Sequence, residues 1–175
     1  MRGDQSAAWL LRWRELERSG RLVSVFPPGD DISFSLGFPV GCSATFWVIR
    51  RVDRNGARGD LMVSPWRLIG LLRPEDSYHQ IFESATWASE PRMAQVEHWL
   101  TWRDVLLDPR IQAHPVSLEL RGEHGCEGRI GEVRETDFEI QEESDEAAGE
   151  VAIIPYASIE WLEVKVPSDW RSVPL

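Results

Sequence analysis

Few side chains in this sequence are of the types and spacings that carry chemistry. The four histidines, His79, His98, His114 and His124, do not stand at metal-ligand spacing from one another or from Cys42 and Cys126. His124-Gly125-Cys126 is the nearest approach to a cluster, and it reads as a hairpin loop. Neither Gly122 nor Gly125 is followed by the Lys-Ser/Thr of a phosphate loop, and no Gly-x-Ser-x-Gly elbow occurs. Cys42 would be a nucleophile only if the fold brought a histidine beside it; a cysteine in an apolar strand segment is more often simply buried. No catalytic, cofactor-binding or metal site is expected, and the chain does not read as an enzyme.

Charge and aromatic rings offer more. Arg50, Arg51, Arg54 and Arg58 cluster about one hairpin and would suit a phosphate backbone or an acidic partner. Glu142, Glu143, Asp145 and Glu146 cluster about another. Carboxylates are the ligands hard cations take, but the spacing is not that of a calcium loop. This acidic hairpin is expected to face a partner, or else to be the intramolecular mate of the basic one. Residues 1–73 hold 11 basic and 7 acidic side chains, net +4, whereas residues 119–150 hold 3 and 12, net −9. The whole chain is at −10, so a general nucleic-acid binder is disfavoured. Of the 19 basic residues only Lys165 is lysine, the bias of a GC-rich, bacterial-type genome. Nine Trp in 175 residues supply large buried area or interface anchors, and Trp66 and Tyr156 are the candidates for partner contact.

The elements that position these groups repeat. Gly59 to Leu72 lies over Gly149 to Leu162 at a constant offset of 90, with 4 of 14 positions identical. Pro65-Trp66 thereby matches Pro155-Tyr156, and Ile69 matches Ile159. Upstream, Gly37 matches Gly128 and Phe46 matches Phe138. Both copies read as β meanders. The second has strands at 116–120, about Gly128 and Gly131, about Phe138 and Ile140, at 151–154 and at 159–166. The first has Ile32 and Phe34, then 37–40, 45–52, an Asn55-Gly56 hairpin signal, 61–63 and 68–72.

Five short bent strands with a one-turn link before the last resemble the Sm-like family of small barrels. The second copy carries the match in Val116-Ser117-Leu118-Glu119-Leu120, Gly122, Gly128, Ile130, Val133, Asp137-Phe138-Glu139-Ile140 and Ile153 to Ile159. The resemblance implies a barrel that pairs strand edges. It does not carry over the RNA pocket: Ser64-Pro65-Trp66 and Ile154-Pro155-Tyr156 stand where RNA-binding members have an Arg-Gly or Lys-His pair, and their Asn is missing after Phe138.

Gln5 to Ser19 reads as a helix, with Trp9, Trp13 and Leu16 on one face and Gly20 as its stop. Glu83 to Arg110 reads as a helical connector, interrupted at a capping box, Thr101 to Asp104, and ended by Asp108-Pro109. The expected fold is mainly β (α+β), with two Sm-like or SH3-like five-stranded barrels. The division is an N-terminal helix 1–22, a first barrel 23–82, a helical connector 83–112, a second barrel 113–167 and a tail 168–175. The expected function is a non-catalytic interaction or scaffold protein with a protein partner, as a monomer or small homo-oligomer. The alternatives are RNA or single-stranded DNA binding through the Arg-rich first copy, and an acidic inhibitor or immunity-type protein neutralising a basic partner. No signal peptide or membrane span is read, so a cytoplasmic location is expected.

Overall fold

The computed structural model describes residues 3–30, 33–52, 58–74, 95–122, 125–143 and 149–166. Helix α1 (Gly3–Ser19) precedes strands β1 (Val23–Phe26), β2 (Ser35–Cys42), β3 (Phe46–Val52), β4 (Arg58–Pro65) and β5 (Leu71–Pro74). Two short helices, α2 (Trp102–Leu107) and α3 (Pro109–Gln112), precede β6 (Val116–Leu120), β7 (Cys126–Val133), β8 (Asp137–Glu142), β9 (Val151–Pro155) and β10 (Ile159–Val164). Among the described residues the chain thus runs twice through helix and then five strands. Among the described residues no helix is long and apolar enough to cross a membrane.

The ten strands form one antiparallel sheet in the order β5-β1-β2-β3-β4-β10-β6-β7-β8-β9. This corrects the expectation of two closed five-stranded barrels: β4 spends its free edge on β10, and the sheet ends on β5 and β9 without closing. Each set of five is nevertheless curled. A flat set would separate β4 from β5 by four strand spacings, about 19 Å. The link between them is Trp66 to Gly70, most of it a single 3-10 turn, Trp66–Leu68. The second set repeats this turn at Tyr156–Ser158.

Glycine permits the curl at equivalent places. A Cβ on Gly37 would lie 2.4 Å from the carbonyl oxygen of Arg50, and one on Gly128 would lie 2.0 Å from that of Gln141. No larger residue fits while the neighbouring strand runs this close.

The first set is apolar on both faces. One face carries Val23, Val25, Trp47, Ile49, Met62, Trp66, Ile69 and Leu72 and is covered by Trp13 and Leu16 of α1. Trp13 sits 5.5 Å from both Trp47 and Trp66, ring centre to ring centre, and its indole N–H donates to the carbonyl of Gly41. The opposite face, with Phe38, Phe46, Val48, Leu61 and Val63, joins Trp99, Trp102, Val105, Leu106 and the inner face of the second set in one larger core. The helical segment read as a connector therefore serves the second set as α1 serves the first, and also backs the first set, with Trp102 4.7 Å from Phe46.

Within that segment the capping box is present. Asp104 N–H donates to Thr101 Oγ1, and Thr101 N–H donates to Asp104 Oδ2. Residues 95–100 are turns and not the helix expected there, and 75–94 lie outside the described residues. The first strand of the first set is Val23–Phe26; of the expected Ile32 and Phe34, Ile32 lies outside the described residues and Phe34 is outside any strand and half exposed. The Asn55-Gly56 turn lies outside the described residues.

Ile69 and Ile159, matched by the repeat, are both buried where each 3-10 turn enters the last strand. Ile69→Ala and Ile159→Ala are each expected to lower stability by about 2–5 kcal/mol. The larger loss should fall on Ile159, which is wholly enclosed, and urea melts of the two variants measure both.

Candidate interaction edges

Inside the chain the two sets meet along β4 and β10. Leu61, Met62 and Val63 stand opposite Val164, Glu163 and Leu162. Leu61, Val63, Leu162 and Val164 are buried. Polar contacts fix the register on either side. Arg51 Nη1 donates to Glu163 Oε1 at 2.5 Å, and Lys165 Nζ lies 3.6 Å from Asp60 Oδ2. Val166 N–H donates to Asp60 Oδ1, and Ser64 Oγ to the carbonyl of Glu160.

Strand registers identify which residues of the two sets correspond. Val23 faces Gly37 as Val116 faces Gly128, and Gly37 faces Arg51 as Gly128 faces Glu142. Ser24 faces Arg73 as Ser117 faces Glu163. Arg50 faces Leu61 as Gln141 faces Val151. The two outer edges are thus counterparts of the two strands that pair inside: β9 corresponds to β4, and β5 to β10. The residues in the places of Arg51 and Glu163 are Glu142 and Arg73, the same ion pair with its signs exchanged. For the Asp60–Lys165 pair, Glu150 takes the place of Asp60, and position 75 lies outside the described residues. Both outer edges show large apolar side chains to solvent, Val151 and Ile153 on β9 and Leu71 on β5. An open edge with exposed apolar residues is a template for pairing with another chain.

The residues singled out from the sequence are distributed unevenly over this geometry. Arg50 is 1% exposed, and Arg51 is held by Glu163, so neither is displayed as a free cation. Arg58 opens β4, and Arg54 lies outside the described residues. Glu142 ends β8, and Glu143 receives Arg129 Nε at 2.9 Å, while Asp145 and Glu146 lie outside the described residues. Trp66 is buried against Trp13, with its indole N–H donating to the carbonyl of Ser43, which removes it from partner contact. Tyr156 is half-buried, stacked on Phe138 at 6.2 Å, and its hydroxyl donates to the carbonyl of Arg134. Arg134 itself gathers Glu132, Asp137 and Glu139 about the β7–β8 turn.

Burial and the nearby Glu17 carboxylate push the Cys42 thiol up to about 11; burial and Glu142 do the same to Cys126. Neither is a thiolate near neutral pH, the form in which cysteine attacks. Among the described residues no group of three or more His, Cys, Asp and Glu side chains is placed to hold a metal ion. The two outer edges escaped the sequence reading. Their signal was present in Val151 and Ile153, which alternate outward along a strand whose other face carries the partly buried Ala152 and the buried Ile154. Comparisons with protein-family models, curated proteins and solved structures give no match for this chain.

Proposed function

We propose that the chain is a non-catalytic interaction or scaffold protein, a tandem of two Sm-like units whose outer edges are its contact surfaces. The observation that carries this reading is the correspondence of the free edges β9 and β5 with the strands that pair inside the chain. The repeated order of five strands, the helix before each set and the one-turn link before each last strand support the Sm-like assignment.

The partner that fits both edges is a second copy joined head to tail. Placing β9 against β5 in the internal register sets Val151, Ala152 and Ile153 opposite Pro74, Arg73 and Leu72, and brings Glu142 toward Arg73. Pro74 lacks an N–H, a loss that edge strands tolerate. Such a heterologous contact closes into a ring or runs on as a filament, according to the rotation between copies.

Light scattering with mass detection, run over a range of concentrations, tests this. Oligomers are expected to grow with concentration. Arg73→Glu or Glu142→Arg should each return the protein to monomer, and the double exchange should restore assembly. A monomer at every concentration would reject the contact between copies.

Nucleic-acid binding is expected to be weak at physiological salt, because two of the four clustered arginines are already engaged. A filter-binding titration should give affinities far weaker than the roughly 10 nM or better of specific binders. Nanomolar affinity would favour the RNA or single-stranded DNA reading instead.

A further inference from the structure

We propose that the recess where the two strand sets meet binds one organic cation, the guanidinium or ammonium end of an arginine or lysine side chain presented by a peptide. The recess has a volume of about 300 Å³ and opens on the face of the sheet that α1 covers only in part. Trp47 and Met62 form its floor, and Phe34 and Trp161 its aromatic walls, with Glu119 and Glu160 at the rim.

Trp161 and Glu119 stand directly opposite each other in the β10–β6 register. Their side chains share one face at cross-strand distance. A ring face beside a carboxylate is the arrangement that attracts a cation, through the ring quadrupole and the charge together. Glu119 has no ion-pair partner among the described residues. Glu160 has only a distant one, Arg121 Nε at 3.9 Å, itself largely exposed.

Arg51 also lines the recess, but its charge is neutralised by Glu163 at 2.5 Å, so the rim remains negative. A second observation points to a ligand. The indole N–H of Trp47 is buried and has no acceptor. A buried donor without a partner is costly. A peptide brings the missing acceptor as the carbonyl beside its cationic side chain. The site thus asks for a cation and an acceptor together, on an apolar stem.

The test titrates the full chain with N-acetyl-arginine amide, N-acetyl-lysine amide and N-acetyl-citrulline amide, the last an uncharged copy of the first. Proton–nitrogen NMR follows the indole N–H signals, identified by loss in Trp47→Phe and Trp161→Phe. The cationic amides should shift both signals saturably, and the citrulline amide should bind at least about tenfold more weakly, the scale of a desolvated cation–ring contact. Glu119→Gln should weaken the cationic amides by about tenfold without changing the thermal melt. Should that variant fail to fold, Glu160→Gln applies the same test. Equal binding of the citrulline amide, no loss on removing the carboxylate, or no saturable shift up to about 50 mM ligand would each overturn the proposal.

Discussion

Replacing Trp13 by alanine is expected to cost about 3–5 kcal/mol, the upper range for emptying a buried aromatic site. Trp13 is wholly buried and is the point at which α1 grips the first strand set. Its ring lies on Trp47 and edge-on to Trp66, and its N–H satisfies the carbonyl of Gly41. Truncation would therefore leave a cavity between two indoles and an unpaired buried carbonyl at once. Trp13→Phe keeps the ring contact and loses the hydrogen bond, so it should cost clearly less. Urea melts followed by near-ultraviolet circular dichroism, which reports the tryptophan cluster, measure both.

The second large effect is expected at Asp108, between α2 and α3. This buried carboxylate receives the Arg110 side chain through Nε at 2.9 Å and Nη2 at 2.6 Å. It also receives the Trp99 indole N–H at 3.1 Å, and it caps α3 through the backbone N–H of Arg110. Asp108→Ala should cost about 3–5 kcal/mol, because it removes at once the buried carboxylate that receives the Arg110 guanidinium and the Trp99 indole and the cap of α3.

The effect depends on pH with a definite sign. Burial pushes this carboxyl up, but the hydrogen bonds from Arg110, aided by its charge and by Trp99, outweigh burial and hold it below the usual 3.8. A group whose folded value is depressed contributes stability above its unfolded value and loses it as pH falls through the folded one. The gap between wild type and Asp108→Asn should therefore be full at neutral pH and shrink below about pH 4. A gap that stays constant from pH 7 to pH 2 would show that the carboxylate's charge plays no part.

The repeat was legible because local constraints leave local traces. Proline, an aromatic residue and isoleucine mark both one-turn links, and Gly37 and Gly128 mark both places where a neighbouring strand comes too close for a Cβ. The capping box of α2 was legible for the same reason, being complete within four residues. The strand β1 was not, since Val23–Phe26 is four residues of unbroken burial with no alternation to betray it. Nor was the union of the two sets in one sheet. Pairing Leu61 with Val164 joins residues about a hundred positions apart, and nothing local in either strand names its mate. Arg50 was misleading in a similar way. Its neighbours suggested an exposed basic tip, whereas its position in β3 points it into the fold.

The unequal faces of the first strand set bear on the order in which the protein is made. Among the described residues, and apart from the half-buried Trp161 at its border, the core beneath α1 is supplied by residues 9–72, so it can consolidate while later segments are still in synthesis. The reverse face cannot. Phe46, Val48, Leu61 and Val63 wait for Trp99 to Leu106, and the outer edge of β4 waits for β10, which follows all nine other described strands in the chain. A nascent chain stopped between these points presents an oily surface beside an unpaired strand, the combination most prone to aggregate. Truncations after residue 74 should accordingly be insoluble or chaperone-bound, while the full chain folds in one cooperative step.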